Sequence, residues 1–470
     1  MKQNHAFFKN VCSLAIPVAL QSMLQASFGM IDQIMIGQLG SVSVAGVGLA
    51  GKFSSIYTVV VSAIGAVAGI MISQYLGQKN QPEVRRSFWV NLILGCALAG
   101  LFTVLCVFFP KPIMHLYMEE GTTVEAAAGY LMITAATFFP IAIATLLSTL
   151  LRCMEKAVLP LIASVAAALC NTGLNYILIF GKCGLKPMGV TGAALATVAS
   201  QIVNVLIMFA FFWKFRNAVS CKITNVSGAA NTLADTTGSR ITSPECSSEA
   251  ESIWNFDWRQ YFSMLLPLLV CEFMWSLGEN VYAAIYGHLG TDSCAAMTLI
   301  NPIQGLMIGA LCGLSQAAGV IIGKMLGKEE YKEAYRASKK LMLYGFVGSI
   351  CLSVLIVMTA GLYVQIYQVE DAVKALTIQI LIAYALVAPF KVQNMIVGGG
   401  ILRSGGQTRA VMMIDLIGTW IFGVPIGLIT AFVFGLSIPY VYFLLSLEEC
   451  VRFAISLIVF HRRNWMRKLS

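Results

Sequence analysis

The sequence predicts an all-α polytopic membrane protein with twelve transmembrane helices in two parallel six-helix lobes. Of its 470 residues, 58% are hydrophobic and only 11% are charged, and the mean hydropathy is +0.79. A soluble domain of this composition would expose too much apolar surface to water. Apolar runs of the length that a membrane-crossing helix needs recur along the chain, and the two halves of the sequence resemble each other.

Each half of the chain contributes six apolar segments. They lie at residues 11–36, 43–76, 87–109, 124–149, 158–180 and 189–213, and then at 259–286, 294–326, 341–366, 375–400, 410–433 and 437–460. Because six is an even number, both halves enter the membrane from the same side. The two lobes are therefore predicted to be related by a pseudo-two-fold axis along the membrane normal, a common plan among transporters.

The basic residues indicate how the chain is oriented. Twenty-four of the 31 lysines and arginines fall on one side of the predicted membrane and five on the other. Since cytoplasmic loops are enriched in basic residues, both termini are predicted to be cytoplasmic in a multi-pass cell-membrane protein. The net charge of +9 is then mainly a topology signal, and it does not indicate nucleic-acid binding. We expect a monomer in the lipid bilayer.

An internal repeat relates the halves at a shift of 250 residues. The segment AGIMISQYLGQ at 68–78 matches AGVIIGKMLGK at 318–328, and Pro17 matches Pro267. These two prolines are predicted to break the first helix of each lobe at equivalent places, because proline removes a helical hydrogen bond.

The repeat divides the chain into an N-lobe at 1–216 and a C-lobe at 253–470. Between them, residues 217–252 are rich in Ser, Thr, Ala, Asn and Gly and have almost no large apolar residue to bury. We predict that this segment is a flexible cytoplasmic linker.

Three stretches are similar to the multidrug and toxic compound extrusion (MATE) family. They are IPVALQSMLQASFGMIDQIMIGQLGSVSVAGVGLA in the first span, LRCMEKAVLPLIASVAAALCNTGLNYILIFG at the junction of the fourth and fifth, and ILRSGGQTR at that of the tenth and eleventh. The resemblance implies two lobes forming a V around a central cavity. It also implies a secondary antiporter that exports organic cations and drugs in exchange for H⁺ or Na⁺, without a cofactor.

Asp32 lies in the first span with no basic residue nearby in sequence. A charge at the centre of a membrane helix costs roughly 2.5–3.5 kcal/mol on insertion scales, so this carboxylate must face a cavity or a partner. The resemblance implies an ion-coupling site that joins Asp32 to Asn171, Asn175 and Thr197. Many relatives carry Asp where this chain has Asn175, so both H⁺ and Na⁺ remain open, with Na⁺ possible at Asp32. The structural alternative is a protonated carboxylic acid that packs against a neighbouring helix.

Acidic and aromatic residues alternate along one face of the seventh span. Counted from Glu272, three further residues follow at three, seven and ten positions, the spacing of one helical face. They are Trp275, Glu279 and Tyr282. Such a face could bind an organic cation through charge pairing and cation–π contact. The alternative is that one of the glutamates pairs with a basic residue elsewhere.

Lys391 lies well within the tenth span and is a further candidate substrate-binding residue. It could pair with Glu272, Glu279 or Asp415 as an internal countercharge, or extend its side chain to the cytoplasmic edge. In the twelfth span, Glu448, Glu449 and Arg452 have the spacing of local ion pairs, for which we favour a structural role.

Two other classes of function were weighed. A membrane-embedded enzyme has little support, because the four histidines are isolated and the sequence has neither a P-loop nor a nucleophile elbow. A flippase or exporter of lipid-linked or other amphipathic metabolites would need a strongly basic cavity to hold a pyrophosphate. Six acids against two bases within the spans favour a cationic cargo instead. The acids are Asp32, Glu272, Glu279, Asp415, Glu448 and Glu449, and the bases are Lys391 and Arg452.

Overall fold

The computed structural model describes residues 2–39, 41–115, 121–182, 184–234, 256–365 and 370–469. Within these ranges all regular secondary structure is helical. The first half contains α1 (Lys2–Gly37), α2 (Ser41–Gly77), α3 (Gln81–Phe108), α4 (Pro110–His115), α5 (Gly121–Thr134), α6 (Phe138–Cys153), α7 (Val158–Phe180) and α8 (Gly189–Ala234). A single 3₁₀ turn, Ala135–Thr137, joins α5 and α6 into one span.

The second half begins after the gap at 235–255. It contains α9 (Trp258–His288), α10 (Thr291–Gly327), α11 (Tyr331–Gln365), α12 (Asp371–Asn394), α13 (Thr408–Leu416), α14 (Val424–Leu428), α15 (Ile438–Ser446) and α16 (Glu448–His461). Three π-helical segments continue or connect these helices, at Met395–Leu402, Ile417–Gly423 and Ile429–Val433. π-Helical turns often accompany functional sites, and here all three belong to the C-lobe.

Eleven helical segments among the described residues are long and apolar enough to cross a membrane. The twelfth predicted span, 437–460, is made of α15 and α16, which meet at Leu447. α15 has 9 residues and α16 has 14, so neither helix alone is long enough to cross a membrane.

Both α1 and α9 run through their prolines, Pro17 and Pro267, as continuous helices, so neither proline ends its helix. A bend of the helix at each proline stays a prediction. The helix of the sixth span, α8, continues to Ala234, so the backbone of 217–234 is helical. The rest of the predicted linker lies outside the described residues, and the division into lobes and linker stays a prediction.

The lobes pack together where α2 crosses α10. Gly327 faces the carbonyl group of Gln74, and Gly77 faces that of Lys324, so closely that a Cβ atom on either glycine would overlap the oxygen. Both pairs are related by the 250-residue shift of the duplication. The repeat therefore makes this contact nearly symmetrical, and glycine allows the two backbones to approach.

The same end of the molecule carries both termini. The Phe8 ring lies 5.4 Å from that of Tyr344, in the first half of α11. The Gln74 side chain donates to the carbonyl oxygen of Ser404 at 2.7 Å and accepts from the Leu469 amide at 2.7 Å. Across the lobes, Lys324 donates to Glu155 at 2.6 Å. These contacts hold the lobes together at the terminal end.

Candidate ion and substrate sites

Asp32 and two asparagines meet in the N-lobe. The Asn175 amide on α7 donates hydrogen bonds to Asp32 Oδ1 on α1 and, at 3.2 Å, to Asn171 Oδ1 one helical turn away. Asn175 is fully buried, and its own Oδ1 has no hydrogen-bond partner. The structure thus brings together three of the four predicted ion-site residues. It leaves the buried Oδ1 atom of Asn175 without a hydrogen-bond partner.

Thr197 lies at the edge of this group on α8. Its hydroxyl donates to the carbonyl oxygen of Ala193 at 2.9 Å, so that proton is used within its own helix. Tyr130 on α5 packs against an apolar cluster that includes Ala193. No pattern in the sequence pointed to Tyr130, because a tyrosine in an apolar helix is common and carries no recognisable spacing.

The charge of Asp32 is not balanced by a protein cation. Among the described residues, no lysine, arginine or histidine comes within 4.0 Å of its carboxylate. Its side chain accepts a hydrogen bond from an amide, and the residue is partly buried. An uncompensated carboxylate in a membrane protein's interior favours binding a proton or a cation.

A cavity of about 270 Å³ lies within the C-lobe. Glu279, Tyr282 and Lys391, all predicted as substrate-binding residues, line it together. The other polar residues that line it are Tyr286, Thr298, Asn301, Gln304, Tyr384, Tyr442, Ser446, Glu448 and Glu449. The Gln304 amide donates to the Tyr442 hydroxyl at 2.8 Å, which positions two of these groups. Sequence reasoning missed most of this lining because it comes from four different spans.

A network of charged residues forms one wall of the cavity. Arg452 on α16 lies 3.3 Å from Glu448, 3.8 Å from Glu449 and 4.0 Å from Asp415. It also donates to the hydroxyl of Thr419. The i,i+3 and i,i+4 pairs expected within the twelfth span are present, but the network also reaches α13 and the π-helical segment after it.

Small residues make room for this network. A Cβ atom at Gly418 would overlap the Arg452 side chain, and one at Gly423 would overlap the Tyr282 hydroxyl and Glu448. Tyr282 in turn donates a hydrogen bond to Glu448. The π-helical segment Ile417–Gly423 therefore fits closely around buried charges.

The predicted partners of Lys391 were wrong. Its ammonium lies 3.9 Å from Glu449, and Glu449 also accepts a hydrogen bond from Asn394 at 2.8 Å. The internal countercharge exists, but its partner is on the twelfth span because that helix packs beside the tenth. Spacing along one helix carries no information about which neighbour it faces.

Two of the four seventh-span residues do not reach the cavity. Glu272 pairs with Arg403 at 3.2 Å, which is the alternative of a glutamate that pairs with a basic residue elsewhere. Trp275 is 45% exposed and does not line the cavity. Glu272 and Glu279 are about 10 Å apart along the helix axis, so the two ends of the shared face meet different neighbours.

The count of charged residues within the predicted spans also left out two arginines. Arg152 and Arg403, assigned to cytoplasmic loops, both line a second cavity of about 220 Å³ between the lobes. The count of six acids against two bases within the spans therefore left out a cavity that two arginines line. Where helix ends of the two lobes meet, they can enclose residues that either lobe alone would expose to solvent.

The helical spans, the repeated arrangement of the two halves and the buried polar sites together define a polytopic membrane transporter. The MatE family model matches residues 17–177 and 267–429, one match in each half of the chain. The chain therefore belongs to the MATE family of efflux transporters, and it is a transporter rather than an enzyme.

Curated relatives match nearly the whole chain. The Probable multidrug resistance protein NorM of Thermotoga maritima is 23% identical, covering 98% of this chain and 93% of the relative. The Probable multidrug resistance protein NorM of Agrobacterium fabrum is 25% identical, covering 91% and 88%.

A solved structure described as MATE in complex with MaL6 superposes with a TM-score of 0.83 at 18% identity, covering 97% of this chain and 96% of that one. An outward-facing multidrug resistance MATE transporter gives 0.81 at 18% identity, covering 97% and 96%. These matches confirm the predicted fold.

Proposed function

We propose that the protein is a secondary antiporter that exports organic cations and drugs across the cell membrane in exchange for H⁺ or Na⁺. The observation that carries this proposal is the Asp32 carboxylate, which has amide contacts but no basic partner within 4.0 Å among the described residues. Two relatives named for multidrug resistance support the cargo class.

The coupling step follows from the charge of Asp32. Binding of a proton or Na⁺ cancels a carboxylate that the protein itself leaves unpaired, so the ion stabilises the conformation in which the N-lobe closes around the site. A ligand shifts such an equilibrium only by its difference in affinity for the two states. The free Oδ1 of Asn175 offers an additional oxygen to Na⁺, whereas a proton needs only the carboxylate.

The C-lobe cavity supports a cationic cargo. Three acids line it, Glu279, Glu448 and Glu449, against one base, Lys391. The adjoining network adds one further acid and one further base, Asp415 and Arg452. An organic cation would meet this excess negative charge together with the rings of several tyrosines. The same excess disfavours a lipid-linked pyrophosphate in this cavity.

The proposal also covers the topology, the oligomeric state and the membrane of the protein. Both termini face the cytoplasm, the protein works as a monomer in the plasma membrane, and no cofactor is needed. The common position of the termini at one end of the molecule supports an even total number of spans.

The test is Asp32→Asn in proteoliposomes with an imposed pH or Na⁺ gradient and a fluorescent organic cation as cargo. The change keeps size and hydrogen bonding but removes the charge, so gradient-driven transport should be lost while expression and some cargo binding remain. Asp371→Asn is the matched control, because that side chain is 99% exposed. Wild-type transport by Asp32→Asn under both gradients would refute the assigned role of this carboxylate.

A further inference from the structure

The 220 Å³ cavity between the lobes contains two arginines related by the duplication. Arg152 ends α6 in the N-lobe, and Arg403 follows the π-helical segment of the tenth span in the C-lobe. Residues 62–70 and 315–320, from α2 and α10, line the cavity between them. Both lobes thus contribute to one site beside their closed terminal end.

The two arginines differ in charge compensation. The Nη1 and Nη2 atoms of Arg403 both lie 3.2 Å from Glu272 Oε1. Arg152 Nη2 instead donates to the neutral amide oxygen of Gln21 at 3.0 Å. The 250-residue shift that relates α1 to α9 puts Ser22 opposite Glu272, so the N-lobe has no equivalent carboxylate. Throughout the described parts of the chain, no carboxylate lies within 4.0 Å of Arg152.

The guanidinium of Arg152 therefore has an unbalanced charge and unused donors. Its Nε atom is buried without a hydrogen-bond partner. Gln316, from the facing lobe, lines the same cavity. A partly buried cation without a counterion is unfavourable, and arginine binds carboxylate, sulfate and phosphate groups especially well.

We propose that the interlobe cavity binds an anionic oxygen group, such as a carboxylate, sulfate or phosphate group, on Arg152. A small inorganic oxyanion or the acidic group of an amphipathic molecule would satisfy the same chemistry. Because residues of both lobes line the cavity, the bound anion stabilises the arrangement in which they are closed at the terminal end. Separation of the lobes at that end would disassemble the site.

Three residues allow a charge-matched test. Gln21→Glu places a carboxylate where the amide already contacts Arg152, so it should neutralise the cation with almost no change in shape. Glu272→Gln releases Arg403 from its partner and should add a second free cation to the same cavity. Opposite effects of these two near-isosteric changes would be specific to charge, because neither removes an arginine.

Binding is measured on the purified full-length protein in detergent, by thermal unfolding and isothermal titration with sodium sulfate at constant ionic strength. We expect saturable binding to the wild type, about tenfold or more weaker binding to Gln21→Glu, and tighter binding to Glu272→Gln. Sulfate also stabilises proteins without binding, so the saturable part that differs between variants is the readout. Identical sulfate dependence in wild type and Gln21→Glu would overturn the proposal.

A competition arm distinguishes the two sources of the anion. Hexanoate that displaces sulfate more strongly than acetate does indicates that the site takes the acidic group of an amphipathic molecule. Equal displacement by both indicates a free anion. If sulfate, acetate and hexanoate all bind without dependence on residue 21, the cavity is not an anion site. The measurement needs no ion gradient, so its result is independent of the proposed antiport.

Discussion

Replacing Arg452 by Met should destabilise the protein more than almost any other single substitution of a charged residue. The Arg452 side chain is 7% exposed and lies between three carboxylates. At an effective dielectric constant of about 20, the pair with Glu448 at 3.3 Å alone corresponds to about 5 kcal/mol of attraction before desolvation is subtracted. Removing one partner leaves buried charges uncompensated, so we expect a net loss of about 3–5 kcal/mol.

The assay is thermal unfolding of the purified protein in detergent, followed by tryptophan fluorescence. The matched control is Lys374→Met, which removes a lysine paired with Asp371 at 3.2 Å where the carboxylate is 99% exposed. An exposed pair of this kind contributes about 0–1 kcal/mol, so the control should unfold close to the wild type.

A compensating substitution tests the charge argument directly. Adding Glu448→Gln to Arg452→Met removes one of the stranded carboxylates and should recover part of the lost stability, a coupling that a double-mutant cycle measures. If Arg452→Met unfolds at the same temperature as Lys374→Met, the network is not desolvated. No recovery in the double variant would mean that Arg452 acts through packing rather than through charge.

Two other predictions concern the lobe crossing and the C-lobe cavity. Gly327→Val should weaken the closed arrangement, because its side chain would overlap the carbonyl oxygen of Gln74, whereas Gly129→Ala meets nothing within 4 Å and should be neutral; cysteine cross-linking between α2 and α10 measures the difference. Glu279→Gln should reduce transport of a cationic dye much more than that of a neutral dye, with unfolding within about 0.5 kcal/mol of the wild type, because Glu279 has no ion pair among the described residues. Equal loss for both dyes would exclude charge recognition by Glu279.

The sequence was sufficient to predict the fold class and its internal symmetry. Apolar runs report membrane spans because each span must bury its own backbone hydrogen bonds, and the repeat reports two similar lobes. The matched pairs Gly77 with Gly327 and Gln74 with Lys324 even lie at the crossing of the lobes. The resemblance to the MATE family also brought Asp32 and Asn175 together before any geometry was available.

The sequence did not predict which side chains pair between different helices. Periodicity assigns a residue to a face of its own helix, but the neighbour of that face depends on how all the helices pack. Lys391 was expected near acids on other spans and lies beside Glu449, while Glu272 pairs with Arg403. The twelfth span was interpreted as a local structural pair, although its acids line a cavity together with residues of three other spans.

The burial of charged residues near helix ends was the other property that only the tertiary structure decided. Arg152 and Arg403 lie at helix ends, where a linear sequence predicts exposure to the cytoplasm, yet the meeting of the two lobes encloses both around one cavity. The sequence by itself determined the number of spans, the duplication and the acidic residue in the first helix. The charge balance of each site depended on contacts more than a hundred residues apart in sequence, as between Arg152 and Gln21, because only the packed helices bring those groups within hydrogen-bond distance.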